Sequence, residues 1–142
     1  MYVVTADQIR SRTGKDRVPS ALQALGLVEP GPMRAFERTA GDEIQGVTDN
    51  PDTVVRLVER LIRDGCWRIG IGVGPVELPL PPTTRAGRGP AFGAARVAIE
   101  AAHPRPGQLA VRLGSDPDLS AADRRRRGRH AEYAEGALLL LA

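Results

Sequence analysis

The stretch that decides the fold is residues 50–76, NPDTVVRLVERLIRDGCWRIGIGVGPV. Its first half opens with Asn, Pro and an acidic residue, a usual helix start, and then repeats apolar residues at helical spacing until Gly65. Its second half alternates, with Ile69, Ile71 and Val73 on one side and glycines on the other. The stretch therefore predicts an amphipathic helix followed by a strand with one apolar face and one face of bare backbone.

The segments around this stretch complete a β-α-β-β-α-β-α-β order. Strands are predicted at 2–6 and 109–113, and at 34–40 and 43–48 as a hairpin around the turn Gly41-Asp42. Prolines predict helix starts at Pro19 and Pro90, and Ser120 predicts the cap of a last helix. The first six elements match the split βαβ unit of a ferredoxin-like sheet. We expect an α+β fold, an α/β sandwich whose antiparallel sheet has helices on one face. Residues 1–115 form this domain and residues 116–142 a C-terminal helix.

The composition excludes several classes of protein. A chain of 142 residues allows one domain with its own core. The single cysteine, Cys66, permits no internal disulfide, which fits a reducing cytoplasm. The longest apolar run has six residues, far below the roughly 20 that a membrane span needs. We therefore expect a cytoplasmic protein that does not contact membranes.

The basic residues are concentrated near the C-terminus. Five arginines lie between Arg124 and Arg129, and the formal net charge is +3. No aromatic residues interleave with this cluster, as a base-stacking surface would require. We interpret the cluster as a solvated helix face and do not expect nucleic-acid binding.

Two acidic residues are candidates for a metal site. In a ferredoxin-like sheet the first strand lies beside the central hairpin, so Asp7 at the end of that strand comes close to Asp42 in the hairpin turn. Paired carboxylates at the rim of a sheet suit a hard divalent cation such as Mg²⁺. The glycines at 70, 72 and 74 cost stability in a strand and indicate close approach of a ligand or of another backbone. If that face is open, a nucleotide can lie on it.

Four blocks of sequence, in this order, carry a resemblance to known proteins. They are ADQIRSR at 6–12, TAGDEIQG at 39–46, RIGIGVG at 68–74 and GPAFGAAR at 89–96. Together they resemble the SatD-like family and, more distantly, the catalytic palm of class III nucleotide cyclases and diguanylate cyclases. The resemblance covers residues 2–102. It implies a ferredoxin-like palm that holds Mg²⁺ or Mn²⁺ against a nucleoside triphosphate.

The resemblance also implies roles for individual residues. Asp7 and Asp42 bind the metals, Glu43 and Arg96 are catalytic, and Gln8, Ile9, Gly70 and Gly72 contact the nucleotide. Phe92 stands where cyclases carry an asparagine, and the lysine and aspartate that read the purine have no counterpart. The retained acidic pair favours nucleotidyl cyclase or nucleotidyl transfer chemistry, whereas the missing base-reading residues favour a non-catalytic, SatD-like nucleotide-sensing or regulatory module.

The resemblance further implies a homodimer, since class III cyclases build their sites between two chains. The leucines at 138–141 support this expectation, because four consecutive leucines cannot all face one side of a helix.

Overall fold

The structure is a computed structural model that describes residues 1–116 and 120–140. The strands are β1 (Tyr2–Gln8), β2 (Arg34–Ala40), β3 (Glu43–Thr48), β4 (Trp67–Val73) and β5 (Leu109–Leu113). The α-helices are α1 (Val18–Leu25), α2 (Pro51–Asp64), α3 (Pro90–Ala102) and α4 (Ala121–Leu139). Single 3₁₀ turns occupy Thr84–Ala86 and Pro106–Gln108.

The five strands form one sheet in the order β2-β3-β1-β4-β5. The pairs β2–β3, β3–β1 and β1–β4 are antiparallel, which confirms the α+β fold and the expected ferredoxin-like order of these four strands. β5 departs from the antiparallel prediction, because it runs parallel to β4. A parallel neighbour requires a crossover connection, and α3 provides it.

The expected caps set the ends of the helices. The Asn50 side chain accepts a hydrogen bond from the Asp52 N–H at 2.9 Å, and Gly65 ends α2 with a φ of 72°. The Ser120 side chain accepts from the Asp123 N–H at the start of α4. Both helices therefore begin where the sequence places their caps.

One face of the sheet packs against α1, α2 and α4. Ile69 and Ile71 of β4 are buried on this face with Leu57 and Leu61 of α2, as their alternation predicts. Large branched side chains fill the space between sheet and helices here, and their burial supplies most of the hydrophobic stabilisation.

The other face of β4 is covered by α3, and this overturns two predictions. A Cβ on Gly72 would overlap the Ala91 carbonyl oxygen and the Ala95 nitrogen, and one on Gly70 would lie 2.8 Å from the Ile99 Cα. The helices therefore lie on both faces rather than one. The backbone of α3 packs directly on Gly70 and Gly72, so no nucleotide can lie on these glycines. The prediction that they contact the nucleotide is wrong.

The hand of the connections explains this error. β3, β4 and β5 run in the same direction, and the connections through α2 and α3 progress the same way across the sheet. Their helices nevertheless lie on opposite faces. The two connections therefore have opposite hands, although about 98% of such crossovers are right-handed. Two right-handed connections would have placed both helices on one face, as we expected.

The end of α4 is only partly covered. Leu138 is buried and Leu139 is half-buried, whereas Leu140 is 89% exposed. Leu141 lies outside the described residues. No helix in the described part of the chain is long and apolar enough to cross a membrane.

Candidate functional site

Helix α3 covers only part of its face of the sheet, and the part that it leaves open is polar. The strand register places Thr5 opposite Gln45, and Asp7 opposite both Glu43 and Arg68. The Gln45 amide donates to the Thr5 hydroxyl at 3.0 Å, which fixes both side chains on this face. The open part, here called the polar floor, therefore carries hydrogen-bonding and charged side chains beside the glycines that α3 covers. These are Thr5, Asp7, Glu43, Gln45 and Arg68.

Asp7 is the most perturbed acid of this floor. Burial, helped by the negative charges of Glu43 and Asp42 and opposed by Arg68, raises the pKa of Asp7 from 3.8 to about 6. A carboxyl group with a pKa this high, next to other carboxylates, is typical of functional sites.

The carboxylate that faces Asp7 across the sheet is that of Glu43. Side chains directly opposite on antiparallel strands have Cβ atoms about 4.5–5.5 Å apart. Asp42 instead lies in the turn, where its carboxylate accepts a hydrogen bond from the Ser11 hydroxyl at 2.5 Å. Glu43 also accepts a hydrogen bond from the Thr39 hydroxyl. Within residues 1–116 and 120–140, no group of three His, Cys, Asp or Glu side chains could hold a metal by itself.

Arg68 brings an unsatisfied donor to the same row. Its Nε atom is buried and has no hydrogen-bond partner within the described residues. Buried polar atoms in folded proteins are normally paired, so this donor beside Asp7 is an exception among the described residues.

A cleft of about 330 Å³ opens over the polar floor. Arg96 and Phe92 of α3 form one wall, and Arg85 and Arg88 form the rim. None of these three arginines makes an ion pair with a carboxylate in the part of the chain that the structure describes. The cleft also includes Glu43, so the two residues predicted to be catalytic lie in one site.

The rim arginines belong to a strap, residues 77–89, that is tied to edge strand β2. The Glu37 carboxylate accepts hydrogen bonds from the Thr84 hydroxyl at 3.0 Å and from the Arg85 backbone N–H at 3.2 Å. The Arg34 guanidinium donates to the carbonyls of Leu80 and Pro81 at 2.9 and 2.7 Å. The strap is therefore held over the cleft by two side chains of one strand.

Sequence reasoning missed the strap. The prolines between residues 78 and 89 interrupt any periodicity, so the sequence predicts only a long loop there. The motif TRAGRG at 84–89, two arginines among glycines, is the signal that could have marked it.

Gln8 and Ile9, which the resemblance places at the nucleotide, already use their backbone N–H groups within the protein. The Gln8 N–H donates to the Asp42 carbonyl at 3.1 Å, and the Ile9 N–H donates to the Cys66 carbonyl at 2.8 Å. The Gln8 side chain is buried and bonded to the Lys15 carbonyl and the Arg17 N–H. The structure thus brings Asp7, Glu43 and Arg96 to one face and gives Gln8 and Ile9 structural partners.

Comparison of the chain with protein-family models, with curated proteins and with solved structures found no match.

Proposed function

We propose that this protein binds a nucleoside triphosphate with Mg²⁺ in the cleft beneath the strap, and that it senses the nucleotide rather than converting it. The observation that carries the proposal is the convergence of Arg85, Arg88 and Arg96, none ion-paired within the described residues, over a polar floor. Planar guanidinium groups bind phosphate oxygens in pairs and are the usual residues for that task.

A metal ion fits beside the arginines. Mg²⁺ is usually bound by one or two carboxylates together with the phosphates of a substrate, rather than by a cage of protein ligands. Glu43 lines the cleft, and Asp7 lies opposite Glu43 on β1, just outside the lining. These two carboxylates are the candidate metal ligands, and their mutual repulsion is part of what raises the pKa of Asp7. A bound cation would neutralise that repulsion and screen the carboxylates from the triphosphate.

Two features favour sensing over cyclase chemistry. The glycine stripe, on which the catalytic hypothesis needed an open nucleotide surface, is covered by α3. The N–H groups after Asp7 are bonded to the protein's own carbonyls. The surface that remains open is the cleft with its three arginines, which can bind a chain of phosphates.

Calorimetric titration with ATP and GTP, with and without Mg²⁺, tests the proposal. We expect saturable binding that Mg²⁺ strengthens and that Arg96→Gln weakens by tenfold or more, since a charged hydrogen bond contributes about 1.5–3 kcal/mol. Arg56→Gln, at an exposed position of α2, is the matched control and should bind as the parent does. Equal losses in both variants, or no saturable binding, would overturn the proposal. Release of pyrophosphate from ATP or GTP would contradict sensing.

We also propose that the sensing module is a homodimer. The exposed Leu140 supports it, because an apolar side chain at a helix end gains by association. Light scattering should give a dimer for the parent chain and a monomer for Leu140→Asp. A monomeric parent would remove the dimer from the proposal.

A further inference from the structure

A second concave surface lies on the sheet face opposite the cleft, between α2 and α4. Its inner half has a volume of about 360 Å³ and an apolar lining. Val54 and Val55 of α2 form one side, and Ala134, Ala137 and Leu138 of α4 form the other. Nothing in this half offers a charge to a bound molecule.

The outer half is basic. It has a volume of about 460 Å³, and Arg124, Arg127 and His130 line it from successive turns of α4. The backbones of Gly74 and Gly114 lie at the same mouth. Positive charge is therefore concentrated at one end of the surface.

The two halves are one groove. Tyr2, Val73, Val111 and Ala134 line both of them. The volumes fall in the range of about 300–1,000 Å³ that is usual for small-molecule sites. The groove runs along α4 from a basic mouth to an apolar end.

We propose that this groove binds a free long-chain fatty acid, with its carboxylate at the basic mouth and its chain in the apolar half. The match is one of charge and length. The distance along α4 from Arg127 to Leu138 is about 16.5 Å at 1.5 Å per residue. An extended chain advances about 1.2 Å per bond, so the groove takes about 14 bonds, close to the length of palmitate. This site is independent of the nucleotide cleft, which lies on the other face.

Displacement of a fluorescent fatty acid by palmitate tests the site on the full chain. We expect stoichiometric, saturable binding of palmitate and binding at least tenfold weaker for hexadecanol, which keeps the chain and lacks the charge. Arg127→Gln should weaken palmitate binding about tenfold or more. Arg125→Gln, also on α4 but outside the lining, is the matched control and should leave palmitate affinity unchanged.

Filling the apolar half tests the chain end of the ligand. Ala137 and Ala122 are both exposed on α4, but only Ala137 lines the groove. Ala137→Trp should abolish binding and Ala122→Trp should not. If Ala137→Trp fails to fold by circular dichroism, the comparison of Arg127→Gln with Arg125→Gln decides alone.

Four results would overturn the inference. They are no saturable binding of palmitate, equal losses in the two arginine variants, binding only to anionic phosphatidylserine vesicles, or a dimer that Ala137→Trp dissociates while palmitate has no effect. The third result would identify a membrane surface, and the fourth a second copy of the chain.

Discussion

The two faces of the sheet are built on different principles. On the α2 face, branched side chains such as Ile69, Ile71 and Leu57 separate the helix from the sheet and fill the gap. On the α3 face, Gly70 and Gly72 let a helix backbone lie directly on the strand. Removing atoms from side-chain packing has a limited cost, whereas a side chain added between two backbones has no space to occupy. The close contact also holds Arg96 of α3 at the edge of the polar floor. The α3 face therefore contains both packed core and the candidate site.

The largest effect should come from the backbone contact. Gly72→Val would drive a side chain into Ala91 and Ala95, and because the atoms in the way are backbone they cannot move aside. We expect loss of the cooperative unfolding transition, measured by thermal circular dichroism.

Gly128 provides the control for that substitution. It lies in α4 with open space around the position of a Cβ, so Gly128→Ala should stabilise the chain by about 0.5–1 kcal/mol. A folded Gly72→Val variant with the parent's melting temperature would contradict the described seat of α3.

The α2 face should respond to a deletion in a graded way. Leu57 is 1% exposed, and Leu57→Ala leaves a cavity that costs about 2–5 kcal/mol. Urea denaturation measures the loss. Because the cleft lies on the other face, nucleotide affinity per folded molecule should stay at the parent value. A selective loss of affinity would mean that the two faces are coupled.

The acid of the polar floor should make stability depend on pH. The pKa of Asp7 is raised from 3.8 to about 6 in the folded state, so well below pH 3.8 the group is neutral in both states and costs nothing. As pH rises from 3.8 to about 6 the unfolded state ionises first, which penalises the folded state, and above about pH 6 the penalty is complete. Since the group is only partly buried, we expect Asp7→Asn to stabilise by about 1–2 kcal/mol at pH 8 and by well under about 1 kcal/mol at pH 4.

Urea denaturation of the parent and of Asp7→Asn at pH 4 and pH 8 measures this difference in the free energy of unfolding. Mn²⁺ should raise the melting temperature of the parent and have little effect on Asp7→Asn. Asp49→Asn, exposed at the other end of β3 from Glu43, is the matched control and should keep most of the rise. A gain that is the same at both pH values would disprove the titration.

The strand order and the helix caps could be read from local patterns, and the second face could not. Alternation identified Ile69 and Ile71 as core, and Asn50 and Gly65 marked the ends of α2. Glycines at 70 and 72 predict a close approach, but the same pattern serves a ligand or a helix. Whether a ligand or a helix packs on these glycines depends on the hand of the β4-α3-β5 connection. No local sequence pattern predicts that hand.

The site was predictable to a similar extent. The pairing of strands brings Asp7 beside the hairpin, yet a shift of one residue decides whether Asp42 or Glu43 faces it. The arginines of the strap are placed by Glu37, which lies 48 positions before Arg85. Contacts at such separation leave no periodic trace in the sequence.

The smallest effect should come from the tie between strap and sheet. Glu37→Gln removes the charge that accepts the Thr84 and Arg85 hydrogen bonds while keeping the shape. We expect nucleotide affinity to fall about threefold to tenfold, with a melting temperature within a few degrees of the parent. Glu59→Gln, on α2, is the control for loss of an acid. Unchanged affinity in Glu37→Gln would show that the strap does not position its arginines.

A crystal structure of the protein with a non-hydrolysable ATP analogue and Mg²⁺ tests the central claim most directly. The account predicts triphosphate density in the cleft, with phosphate oxygens within hydrogen-bond distance of Arg96 and at least one strap arginine, and Mg²⁺ between the phosphates and Asp7 or Glu43. Triphosphate density bound at the end of β1, by Gln8 and Ile9, with the cleft empty would contradict it.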